Sequence, residues 1–187
     1  MKNRVLVGLC AALLVAAALP AAASTFVALD QEELVASSRA VVQGRVLDTR
    51  SFWNDDRTSI VSEARIEVTD LVAGEAPGVV VVRTFGGEVG NYRVEAHGFP
   101  SFAAGDRVLL FLETDGDSFR VAGHSLGHWR VRATAKGDVA VPTLEEGVRL
   151  FTKDGRLAAR PQPVQLDDFK NSIRDRRGLI EDRRSVR

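Results

Sequence analysis

The side chains most readily turned to chemistry are three histidines, His97, His124 and His128. His124 and His128 lie four residues apart, a spacing that places two ligands on one face of a helix or of a strand. Gly123 and Gly127 interrupt a helix there, and Trp129-Arg130-Val131 reads as strand. Two ligands alone make a weak metal site, and no third is close in sequence, so the pair is read as structural and no metal is assigned. Ser125 sits in Gly123-His124-Ser125-Leu126-Gly127, which has the glycine spacing of a nucleophile elbow. An elbow needs a strand, a sharp turn and then a helix, and no helix is expected to follow. Phe85-Gly86-Gly87-Glu88-Val89-Gly90 has the glycines of a phosphate-cradling loop but neither the Lys-Ser/Thr pair nor a following helix. It reads either as an inter-strand loop needing positive φ or as a contact loop. No acid–base pair, nucleophile set or complete metal triad stands out, so the expectation is a protein without catalytic residues or cofactor.

The beginning of the chain sets the compartment. Lys2 and Arg4 precede residues 5–19, which carry no charge, and Pro20-Ala21-Ala22-Ala23-Ser24 follows. A basic start, a short apolar run and a small-residue site predict a secretory leader over residues 1–23, cleaved before Ser24. The run is too short to span a bilayer core, which takes about 20 residues. The expected location is therefore secreted or periplasmic. The single cysteine, Cys10, falls inside the leader, so the fold must stand without disulfides. The whole chain has 25 basic and 25 acidic residues. That balance argues against nucleic acid or an anionic membrane as partner.

These residues need a scaffold, and the hydrophobic period describes it. Asp30-Gln31-Glu32-Glu33 opens a short helix with the pattern of a capping box. Ala40-Val41-Val42-Gln43-Gly44-Arg45-Val46-Leu47 reads as a strand. Ile60, Ala64, Ile66 and Val68 then alternate with Glu63, Arg65, Glu67 and Thr69, as in a strand with one wet face. The phase breaks at Leu71-Val72, which predicts a bulge or a strand end. Val79-Val80-Val81-Val82 and Val108-Leu109-Leu110-Phe111-Leu112 read as buried strands, and Asp115-Gly116-Asp117 as a hairpin turn. The core is expected to include Val42, Val46, Ile66, Val68, Val80, Val82, Leu110 and Leu112. Phe52, Trp53 and Tyr92 read as core rather than as a surface patch. The pattern weakens beyond Ala133. Lys153-Asp154-Gly155 is expected to turn a hairpin. Leu166, Phe169 and Ile173 recur at helical spacing, with Gly178 as the expected stop. The expected organisation is a leader over residues 1–23, one domain over 24–180 and a disordered charged tail over 181–187.

The order of helix, Ala40-Val41-Val42-Gln43-Gly44-Arg45-Val46, a long strand ending Ala73-Gly74, and Gly105-Asp106-Arg107-Val108-Leu109-Leu110-Phe111-Leu112 resembles the netrin-like domain of tissue inhibitors of metalloproteinases. The resemblance implies a mainly β fold, an OB-like antiparallel β-barrel flanked by an N-terminal and a C-terminal α-helix. It also implies a non-catalytic protein-binding role, with a secreted zinc metalloprotease as partner. The binding ridge it implies joins Ser24 and Thr25 to Phe85, Gly86, Gly87 and Glu88. In those inhibitors a cysteine at the mature N-terminus lies on the catalytic zinc and disulfides hold it there. Here Ser24 stands in that place with no disulfide, which predicts a loose start to the domain. The alternative reading is a structural or envelope-associated module that inhibits nothing.

Overall fold

A computed structural model describes residues 24–185, and the leader expected over residues 1–23 lies outside them. In chain order the elements are β1 (Thr25–Val27), α1 (Gln31–Ser37), β2 (Ala40–Trp53), β3 (Ile60–Gly74), β4 (Val79–Phe85), β5 (Gly87–Val89) and β6 (Tyr92–Val94). Then come β7 (Arg107–Asp115), β8 (Ser118–Val121), a 3₁₀ turn at His124–Gly127, β9 (His128–Thr134), β10 (Gly137–Pro142), β11 (Arg149–Phe151), β12 (Val164–Gln165) and α2 (Leu166–Ser185). The protein is mainly β, with a helix near each end.

Alternation in the sequence becomes a ring of five strands. β2, β3 and β4 form an antiparallel meander. β7 returns antiparallel to β2, and β8 closes the circuit by pairing antiparallel with β7 and parallel with β4. The closing pair is short, only Val82 with Phe119 and Arg83 with Arg120. Val42, Val46, Ile66, Val80, Val82, Leu110 and Leu112 fill the ring as expected, while Val68 packs half-buried at its margin. Val79 is exposed, so the run of four valines has one face in water rather than both in the core. The phase break at Leu71-Val72 is a bulge: Val41 pairs with Ala73 but Val42 with Leu71, leaving Val72 as the extra residue. Glu63, expected on the wet face, is buried. Burial pushes its carboxyl up, but hydrogen bonds from Arg50 and Arg83 outweigh that and hold it below the usual carboxylate range.

A second apolar layer lies between the ring and the helices. Val41, Leu109 and Phe111, on the outer faces of β2 and β7, meet Leu34, Val35, Trp129, Phe169, Ile173 and Ile180. The capping box of α1 forms: the Glu33 amide donates to Asp30 Oδ1 at 2.8 Å and the Asp30 amide to Glu33 Oε2 at 3.0 Å. α2 docks through Leu166, Phe169 and Ile173 and packs beside α1, where Gln31 Nε2 donates to Ser172 Oγ at 2.6 Å. Gly178 does not stop α2, which runs on to Ser185, so residues 181–185 are helical rather than a disordered tail. The cost of a mid-helix glycine is about 1 kcal/mol. It is offset by burial of Ile180 and by Arg177 Nη1, which donates to the Ser38 carbonyl at 3.0 Å. β10, which the weakening pattern concealed, pairs antiparallel with β9 along six residues. The hairpin turn expected around Asp154 forms: Phe151 bridges Leu157 antiparallel, and the Thr152 amide donates to the Arg156 carbonyl and the Ala158 amide to the Leu150 carbonyl, both at 2.8 Å, while β11 also pairs in parallel with β1.

Candidate functional site

Serine in place of a cysteine at position 24 predicts a loose start, but the structure ties this segment down by other means. The Arg149 amide donates to the Ser24 carbonyl at 2.9 Å, and the Ala28 amide to the Phe151 carbonyl at 2.8 Å. Thr25 lies between them in β1. Phe26 is the third anchor, its ring lying on Gly98. Gly98 has φ +83°, and a Cβ there would collide with that ring, so only glycine admits it. The Phe26 ring then meets His124 at 5.3 Å between centroids, His124 meets Phe99 at 4.6 Å, and Phe99 meets Phe85 at 5.1 Å. Four rings thus connect the start of the domain to Phe85. The two halves of the predicted site, Ser24-Thr25 and Phe85-Gly86-Gly87-Glu88, are joined through Phe26, His124 and Phe99, none of which the sequence assigns to that site.

Those four residues of the second half do different jobs. Phe85 ends β4 with 54% of its surface in water. Gly86 and Gly87 are not a pliable contact loop. The Gly86 carbonyl accepts from Ser62 Oγ at 2.7 Å, and Ser62 Oγ lies 2.8 Å from Ser51 Oγ. Gly87, at φ +134°, presses against both hydroxyls, so a Cβ would displace them. It starts the β5–β6 hairpin, and in that hairpin Glu88 is paired with Arg93 at 2.7 Å. The expected glycine-rich loop is therefore a fixed hairpin, and Phe85 is the member that offers apolar surface.

A groove of about 540 Å³ runs beside Phe85. Phe85, Phe99 and His124 form one wall, and Glu113, Asp115 and Arg120 of the β7–β8 hairpin form another. Burial, and then the neighbouring Arg120 charge, hold the His124 imidazole below its usual range, so it faces the groove as a neutral ring. Arg120 is paired with Glu113 at 2.9 Å. The groove is aromatic, with its charges largely matched internally.

The other candidates resolve separately. His124 turns toward Phe26 and Phe99, while His128 packs on Phe102 at 4.8 Å, so the two do not share a site. Among the described residues, no three His, Cys, Asp or Glu side chains are grouped to hold a metal ion. Ser125 lies within a single 3₁₀ turn followed by a strand, and its Oγ and amide both bond the Gly98 carbonyl, at 2.7 and 3.1 Å. It fastens the glycine under Phe26 instead of facing solvent as a nucleophile. His97 pairs with Glu145 at 3.0 Å on the surface. Trp53 and Tyr92, expected in the core, make an edge-on pair at 5.4 Å with Tyr92 65% exposed. Among the described residues no helix is long and apolar enough to cross a membrane. The chain was compared with protein-family models, with curated proteins and with solved structures, and it matches none of them.

Proposed function

We propose that this protein is a secreted, non-catalytic protein-binding module on an OB-like, netrin-like strand ring. Its contact edge is the end where β1 meets Phe85. The circuit supports the OB-like reading: a three-strand meander is closed by a hairpin antiparallel to its first strand and parallel to its third. One observation carries the binding reading. An exposed aromatic side chain, Phe85, stands on a strand end backed by Phe99, His124 and Phe26, so it is held rigid while left open to water. Rigid, exposed aromatics lose little entropy on contact and are the side chains on which interfaces most depend.

The proposed partner is a secreted zinc metalloprotease, as the netrin-like resemblance implies. The mode differs from zinc capture by the first residue, because the Ser24 carbonyl already accepts the Arg149 amide. The test mixes the purified protein with the metalloproteases secreted by its own source and measures binding and residual proteolysis. Binding that survives a one-residue extension before Ser24 is expected, since the first residue does not sit on the metal. Loss of binding on that extension would mean that the terminus itself is the ligand. No binding at all to any of them would leave the module without its proposed partner.

A further inference from the structure

His128 is 1% exposed, and neither ring nitrogen has a hydrogen-bond partner. Burying two polar atoms without a protein partner costs stability, and a charged ring there would cost far more. Its surroundings explain what acid would do. Phe102 lies against the ring at 4.8 Å, and Leu110 is its pairing partner on β7. Two charged groups face it. Arg130, two residues along β9, opposes its protonation, and Asp106, ahead of β7, favours it. Asp106 Oδ2 accepts from Arg130 Nη2 and from the Ala103 amide, both at 3.2 Å, and no hydrogen bond joins Asp106 to the His128 ring. A protonated His128 therefore has no hydrogen-bonded acceptor in this arrangement, and giving it one requires the packing around the ring to move.

The cover over it is thin. Residues 98–106 lead into β7 with Phe102 packed against the ring core, and their fastenings lie at the two ends. Ser125 holds the Gly98 carbonyl, and Thr84 Oγ1 donates to the Pro100 carbonyl at 2.8 Å. At the far end the Gly105 amide donates to the Val46 carbonyl at 2.8 Å, and the Val46 amide to the Asp106 carbonyl at 2.9 Å. Between them, the hydrogen bonds of residues 101–104 among the described residues run only to Asp106. The Phe102 ring, packed on the ring interior, is what holds this stretch down.

The geometry points to an acid-released latch: protonation of His128 displaces Phe102 and frees residues 101–104 from the strand ring. Neutral, the imidazole is an apolar seat for Phe102; charged, it is an ion that only displacement of Phe102 can hydrate. The depressed pKa of His128, about 4, places the release well below neutral pH. This inference goes beyond the binding reading and holds whatever the partner is.

Amide hydrogen exchange of the purified protein, corrected for the intrinsic pH dependence of exchange, tests it. Between about pH 7 and about pH 4.5, protection of the peptide spanning residues 101–104 should fall roughly tenfold or more, while residues 41–46 of β2 stay protected. In His128→Leu the same peptide should keep its protection across that range. Unchanged protection in the wild type overturns the latch, as does parallel loss in both peptides. A His128→Leu protein that opens as the wild type does overturns it too. If His128→Leu does not fold, Arg130→Gln decides: removing the neighbouring cation should move release to higher pH, and an unmoved midpoint refutes the latch.

Discussion

The inside of the strand ring is filled by Val42, Val46, Ile66, Val80, Val82, Leu110 and Leu112, from strands marked in sequence by alternation or by a short apolar run. The layer under the helices is filled by Leu34, Val41, Leu109, Trp129, Leu150, Phe169, Ile173 and Ile180, gathered from the whole length of the domain. β7 supplies both, sending Leu110 inward and Leu109 outward. β9 divides the same way, with His128 against Phe102 and Trp129 against Phe169 at 4.6 Å. A strand can serve two cores with successive residues because its side-chain period is two. The ring is thus a local pattern closed on itself, whereas the helix layer exists only after residues far apart in the chain have met.

That difference can be broken deliberately. Ending the chain after Pro163 removes Leu166, Phe169, Ile173 and Ile180 and uncovers Trp129 and Phe111. Each such side chain contributes about 1.5–3 kcal/mol by burial, and their sum rivals the net stability of a domain. Loss of cooperative unfolding in urea is expected; a midpoint equal to that of the full chain would show the helix layer to be dispensable. Within the ring, Leu110→Ala or Ile66→Ala should cost about 2–5 kcal/mol by denaturant unfolding. Stability unchanged in both would mean that the assigned inward faces are wrong.

The pH dependence of stability follows from His128, on the ring side of β9. Its folded pKa of about 4 lies below the ordinary imidazole value of 6.5. The folded state therefore binds fewer protons than the unfolded chain between those values. Stability contributed by the neutral ring is present above the unfolded pKa and is lost as pH falls from about 6.5 to about 4, on the order of 3 kcal/mol in all. Thermal melts across that window should show the loss in the wild type and a flatter profile in His128→Leu. A wild-type melting temperature that stays flat through the window contradicts the assignment. At the small end, ending the chain after Glu181 removes the exposed pair of Arg183 with Glu32 and should cost less than about 1 kcal/mol. A much larger loss would place the last turn of α2 in the helix layer.

The ring was legible in the sequence because its signals are local. Period-two residues marked β2 and β3, the phase break at Leu71-Val72 marked a bulge, and Asp115-Gly116-Asp117 marked the β7–β8 hairpin. β10 was missed although Gly137 followed by Val139 and Val141 carries a turn and an alternation, because charged and small residues dilute it. β1 was not readable at all: three residues whose strand state depends on β11, more than a hundred positions away, leave no local period. The end of α2 was misjudged because a glycine is a stop only where packing does not override it, and Ile180 packs. For the candidate site the sequence named Ser24, Thr25, Phe85, Gly86, Gly87 and Glu88. It could not show that Gly87 is fixed between Ser51 and Ser62, or that Phe26, His124 and Phe99 bridge the two halves. Those contacts are tertiary, and only the positive-φ glycines flanking them left a trace.

Two exposed aromatics give the most direct test of the binding reading, because they are comparably open to water but differ in place. Phe85 stands on the aromatic bridge, and Tyr92 stands on the β5–β6 hairpin against Trp53. The measurement is the dissociation constant for the proposed metalloprotease partner with the wild type, Phe85→Ser and Tyr92→Ser, each first shown to be folded. The account predicts a loss of roughly tenfold or more in affinity for Phe85→Ser, the scale of an interface anchor, and wild-type affinity for Tyr92→Ser. Unchanged affinity in Phe85→Ser, or a greater loss in Tyr92→Ser, would contradict it.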